Sequence, residues 1–180
     1  MAWTHSARSW TPGAEPSHDT RVEGGVLNSF WTSWVCEINT YKCSYTQPEK
    51  ERSMVDLTVK MIIEVQIHII MASKHQEDEG TEGLVRDHGT LDYLVDEMNY
   101  INDSCTKAAL MLHGIASRHP FYQGNKRTAL AIAEIILMLE GGWYIAAEDE
   151  AIDLYVREVA CYQHDLNEVK CWLQKNCQKM

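Results

Sequence analysis

No CxxC pair occurs among the six cysteines, Cys36, Cys43, Cys105, Cys161, Cys171 and Cys177. The tightest zinc and dithiol patterns are therefore excluded, and reduced, mostly buried thiols are the expectation. A zinc site built from Cys171, Cys177 and His164 has poor spacing. Basic residues are scarce, 16 Lys and Arg against 26 Asp and Glu, for a net charge of −10. Such a molecule is unsuited to following a nucleic-acid backbone, so no direct nucleic-acid partner is expected. No long hydrophobic run is present either. The most apolar stretch, 129–139, is interrupted by Glu134 and is about half the length of a membrane span. The opening "MAWTHSARSW" has no apolar core of a secretory signal. These absences lead to the expectation of a soluble, cytoplasmic protein with no membrane partner. Internal repeats are absent and alternating strand patterns are weak.

What is present divides near Met54. Residues 1–53 hold three of the four prolines, thirteen Ser and Thr, and four of the six tryptophans, Trp3, Trp10, Trp31 and Trp34. No period runs through them. They read as a loosely structured extension with one short ordered piece at "VLNSFWTSWVCEI", or as a stretch ahead of a start at Met54. From residue 54 to 180 the pattern is helical. Val59 to Ala72 carries an apolar stripe of Ile62, Ile63, Ile67, Ile70 and Met71, with His68 read as a satisfied boundary residue. "KHQEDEGTEG" reads as a loop, its run Glu77-Asp78-Glu79 solvated. A second helix follows with Thr90 as N-cap, and a third spans 104–118 with Ala108, Leu112, Ile115 and Ala116 on one face. The fourth starts near Asn125, is apolar nearly all round, and stops at Gly141-Gly142, which places it centrally. Glu148-Asp149-Glu150 open a fifth, and Asp165-x-x-Glu168 is a capping box for a sixth. Short strand pieces are expected at 143–146 and within 80–90. Trp143 and Trp172 read as core. The fold class is all-α, a bundle of about six helices with a short flap.

The chemistry concentrates in "SRHPFYQGNKRTALAIAEIILMLEGG", residues 117–142. Pro120 bars the third helix from continuing past His119. Phe121, one of two phenylalanines, is expected to plug into the core and anchor the loop. Gly124 permits a positive φ or the close approach of a ligand. The amides of the helix starting at Asn125 form an anion site, and Lys126 and Arg127 add cationic donors there. Two cations oppose the helix dipole at that end, which a bound anion would explain. An imidazole beside a polyphosphate can take a proton from an attacking hydroxyl. The residues thus describe a phosphate cradle with an adjacent general base, as phosphoryl or nucleotidyl transfer requires. An ordinary interhelical connection is the competing reading. His113, one turn before His119, is either a boundary residue or faces the same pocket.

"HPFYQGNKRTA" resembles the motif of the Fic/Doc superfamily at five defining positions, His119, Phe121, Gly124, Asn125 and Arg127. "EGLVRDHGTLDYLV", residues 82–95, resembles the Arg-Asp-x-Gly-x-Leu segment of Doc-like (death-on-curing) proteins. The resemblance spans about 54–180. It implies a helical bundle that binds ATP with Mg²⁺, with His119 as the base. Gly124, Asn125, Lys126 and Arg127 would hold the phosphates. Arg86, Asp87 and Gly89 would belong to a flap that aligns the target.

Lys126 decides the subtype within the resemblance. Fic-type adenylyltransferases usually carry Gly there and a second arginine where this chain has Leu130. Doc-type proteins carry Asn-Lys-Arg-Thr-Ala, as here. That favours a toxin kinase that phosphorylates a Thr or Ser hydroxyl of an elongation factor Tu-like target and is neutralised by an antitoxin. A Fic-type adenylyltransferase is the alternative. The family's acidic, metal-holding position is Gln123, whose neutral amide is a weak ligand for a hard cation. Three outcomes stay open: metal held mainly by the nucleotide, substitution by a nearby acid, or a catalytically weakened nucleotide-binding module. Ser73-x-x-x-Glu77 falls short of the family's inhibitory motif because Asp78 follows, and it reads as surface helix.

Overall fold

Side chains that accept hydrogen bonds from unpaired first-turn amides set most of the helix starts. The computed structural model describes residues 56–180. The expected extension over 1–53, with its "VLNSFWTSWVCEI" piece, Cys36 and Cys43, lies outside the described residues. Thr58 Oγ1 accepts from the Met61 amide at 3.3 Å and opens α1, Val59–Met71. The next helix, α2, is His88–Asn99. Its cap is Asp87 and not Thr90. The Asp87 carboxylate accepts from the Thr90 amide at 3.1 Å and the Thr90 hydroxyl at 2.7 Å, so Thr90 is the third residue of the turn and the donor. Asp103 caps α3, Ser104–Arg118, in the same way, accepting from the Thr106 amide at 2.9 Å. Then α4, Asn125–Ile136, starts at Gly124 with no side-chain cap. It widens into a π turn at Leu137–Gly141 and ends at Gly142, where φ is 63°. Glu148 precedes α5, Asp149–Ala160. The Asp165–Glu168 capping box is formed and opens α6, Leu166–Asn176.

The protein is mostly helical, with six α-helices and one two-stranded sheet among the described residues. That sheet pairs β1, Trp143–Ile145, antiparallel to β2, Cys177–Lys179, with Tyr144 opposite Gln178. The other expected piece is a single bridge, Val85 to Phe121. The all-α bundle is as the sequence implied. No helix among the described residues is long and apolar enough to cross a membrane.

The core lies along α3 and α4, which pack on one another most extensively. Centrality is thus shared: α3 buries nearly every residue from Lys107 to Ser117. Gly114 makes the approach of α2 possible, because a Cβ there would fall 2.3 Å from Leu94 Cδ2. On the other side, α1 sets Ile62, Val65, Ile69 and Ile70 against α4. Among the described residues, Lys107 Nζ and Glu140 Oε1 form an enclosed ion pair at 2.9 Å.

Several expectations about single residues change. Cys105 and Cys177 are half-buried, and Cys161 and Cys171 are exposed, so none of the four described thiols is a core residue. No cluster of three metal-ligating side chains occurs among the described residues, which removes the Cys171, Cys177 and His164 zinc site. His164 instead contacts Glu158 Oε2 at 2.9 Å. Trp143 and Trp172 are half-buried, and Trp172 stacks on Tyr155 with ring centres 4.3 Å apart. They cover the edge of the bundle, where wide rings shield apolar neighbours while one edge stays wet.

Candidate functional site

His119 is the C-cap of α3, at φ 50°. The left-handed conformation turns the chain sharply out of the helix, and histidine tolerates it better than most residues. Its Nδ1 lies 2.9 Å from the Ser117 carbonyl oxygen. A carbonyl oxygen only accepts, so Nδ1 carries the proton and Nε2 of the neutral ring keeps its lone pair. The ring is half-buried.

The loop after His119 is held closed by its own residues. Phe121 is fully buried, as its place in a polar loop implied. The buried Asn125 carboxamide bonds both sides of Phe121: its Oδ1 accepts from the Phe121 amide at 2.8 Å, and its Nδ2 donates to the Phe121 carbonyl at 2.9 Å. Gly124 has φ 78°, and a Cβ there would come 2.9 Å from Ile70 Cδ1. Glycine is needed both for the turn and for the contact with α1.

Segment 84–87 runs beside this loop. The Arg86 amide donates to the Pro120 carbonyl at 2.7 Å, and the Tyr122 amide donates to the Leu84 carbonyl at 3.3 Å. The Arg86 guanidinium donates to the carbonyls of Arg118, at 3.2 Å, and of His119. The predicted flap residue Arg86 therefore touches the catalytic candidate's own backbone. Asp87 is the α2 cap, and the Thr90 hydroxyl and amide hold its carboxyl below the usual range. Gly89 sits in the first turn of α2, away from the paired stretch.

At the start of α4 the first intrahelical bond runs from Thr128 N to Gly124 O at 2.9 Å. The three preceding amides have no helical acceptor, as at any helix start. Lys126 is exposed at this end, and Gln123 is half-exposed. Arg127 is engaged. Its Nη2 donates to both oxygens of Asp78, at 2.9 and 2.7 Å. Asp78 sits in a short 3-10 turn, Gln76–Asp78, and is only 3% exposed. This corrects the reading of Glu77-Asp78-Glu79 as wholly solvated: its outer members are exposed, and the middle one is buried on Arg127. Glu77 of the near-miss inhibitory pattern stays at the surface.

His113 is half-buried, and burial first, then the Arg118 charge, lowers its pKa, against the His164 backbone and Asp165, which raise it. His68 accepts its place on α1, with Nδ1 2.7 Å from the Glu64 carbonyl oxygen.

Two residues near the site escaped the sequence reading. One is Asp78, for which the acidic run gave no signal. The other is Gln66, fully buried on α1. It lies four residues after Ile62 and four before Ile70, both buried. A polar residue on such a stripe must find buried partners, and that was a usable signal.

Residues 56–137 match the model of a family described as "Fic: Fic/DOC family". The matched stretch runs from α1 through α4 and includes the whole His119–Arg127 loop. The match covers less than half of the chain, and over that stretch the chain is similar to the Fic/Doc family. No curated protein matches the chain.

The expected metal position offers a weak ligand for a hard cation. No group of three candidate ligands exists among the described residues, and the position expected to supply a carboxylate is the amide Gln123. The amides that open α4 have no side-chain cap, and Lys126 is exposed beside them.

Proposed function

We propose that this protein is a Doc-like kinase that transfers the γ-phosphoryl group of ATP to a Thr or Ser hydroxyl of a target protein, with an elongation factor Tu-like protein as the target class. The observation that carries the reading is the orientation of His119. Its Nδ1 is committed to the Ser117 carbonyl at 2.9 Å, which reserves Nε2 as a base in the loop that leads into the uncapped start of α4. Nε2 accepts the hydroxyl proton as the oxygen attacks the γ-phosphorus. The bond from that phosphorus to the bridging oxygen breaks, and ADP leaves with the electron pair. The amides of residues 125–127 and the Lys126 ammonium hold the phosphates, and Arg127 joins them by exchanging Asp78 for phosphate oxygens. Gly124 lets the chain approach them. Phe121 and Asn125 keep the loop in shape. Arg86, Asp87 and Gly89 belong to the segment that aligns the target.

Lys126 favours phosphoryl over adenylyl transfer, since it fills and charges a place that glycine leaves open for another phosphate. The second reading, a weakened nucleotide-binding module, is favoured by Gln123 and by the Arg127–Asp78 pair. The expected partners are the target and a separate antitoxin in the cytoplasm.

Intact-mass analysis of lysate proteins after incubation with ATP and the chain tests the proposal. The expected result is one phosphoryl increment on a target, absent with His119→Ala. An adenylyl increment overturns the kinase assignment, and equal labelling by His119→Ala overturns the base.

A further inference from the structure

We propose that Gln66 is a positioning residue for this transfer, a role that rests on the reading above. Its side chain is fully buried on α1. A buried primary amide offers two N–H donors and an oxygen, and each left unmet is costly. Gln66 meets all three needs with backbone atoms of two other segments and none of its own helix. Nε2 donates to the Thr81 carbonyl at 3.3 Å and the Gln123 carbonyl at 3.2 Å. Oε1 accepts from the Gly83 amide at 2.7 Å.

These contacts lie at the two points where the loops turn. Gly83 has φ 69° and Gly124 has φ 78°. The carbonyl of Gln123 belongs to the peptide that enters Gly124, so fixing its direction fixes the plane from which α4 starts. The Gly83 amide leads into Leu84–Arg86, the stretch paired with Pro120–Tyr122. One side chain thus brackets the pairing of the flap with the loop, at 83 on one side and 123 on the other. Glycines at positive φ turn easily, and a pivoting peptide at 123–124 would swing the amides of 125–127 away from any phosphate. Gln66 removes that freedom. A misplacement of about 1 Å costs on the order of 10²-fold in rate.

The test compares kcat and KM for ATP in three full-length variants with the wild type. Gln66→Leu keeps the apolar bulk and loses every bond. Gln66→Glu keeps the acceptor for Gly83 and loses both donations. Val156→Ala, in the core between α5 and α3, serves as a stability control. Both Gln66 variants are expected to lose about 10²-fold in kcat, while the control, with a similar fall in melting temperature, stays within about twofold of wild type. Loss of kcat no larger than the control's overturns the proposal, and so does a Gln66→Glu protein that fails to fold, which would assign the residue to stability alone. A wild type that transfers neither group sinks the functional reading itself and takes the positioning role with it, an outcome distinct from an active enzyme indifferent to Gln66.

Discussion

His119 occupies a left-handed conformation, φ 50°, that few side chains accept, and its ring is fixed through Ser117. Arg127 shows the opposite situation: a cation at a helix start, compensated by one buried carboxylate. Replacing that carboxylate tests which partner the guanidinium serves. Asp78→Asn keeps the shape and removes the charge, so phosphate no longer competes for Arg127. The dissociation constant for ATP, followed by calorimetry, is expected to fall about tenfold. An unchanged constant would mean that Arg127 takes no part in binding. At this scale the sequence was legible where a residue's role is local. His119, Phe121 and Gly124 announce a turn and an anchor within a few positions. Asp78 and Gln66 were not legible in their roles because Arg127 is 49 residues from the first and Gln123, the farthest partner of the second, is 57 away, and nothing in an acidic run or an apolar stripe names a distant guanidinium or carbonyl.

Between α3 and α4 the loop depends on one backbone angle. Gly124→Ala puts a side chain at φ 78° and a carbon 2.9 Å from Ile70 Cδ1. The strained conformation is expected to cost about 1–3 kcal/mol, read as a lowered urea midpoint with unchanged m-value. The end of an isoleucine can yield, so the backbone carries most of the loss. No change in the midpoint would show that another residue is tolerated there. The helices themselves were readable from periodicity and caps, and the Asp165–Glu168 box was found from four letters. The start of α2 was displaced because Asp87 and Thr90 are both capping types, and only the carboxylate's reach back to the third amide decides between them.

For the whole molecule, the enclosed charges matter most. Glu134 lies on central α4, where burial, with Asp149 adding to it, pushes its carboxyl up to about 7 from the ordinary 4.5. The folded state therefore prefers the neutral acid. The penalty is absent below about pH 4.5, grows as pH rises, and is complete above about pH 7. This group makes the protein less stable as pH climbs through that window. Glu134→Gln is expected to raise the melting temperature at pH 8 more than at pH 5, measured by calorimetry, and an equal shift at both would place the carboxyl in solvent. The bundle's class and helix order were visible in the sequence because period and punctuation repeat along the chain. The Lys107–Glu140 pair and the exposure of the cysteines were not, since each depends on which helices meet rather than on any local pattern.

The proposed transfer requires phosphate to meet the open end of α4 within reach of His119. Amide spectra recorded while ATP is added report that meeting directly. The largest shifts are expected at Asn125, Lys126 and Arg127, with the His119 ring signals moving at the same nucleotide concentrations. If those signals hold still while others move, or if nothing moves, the nucleotide does not bind where the chemistry requires it.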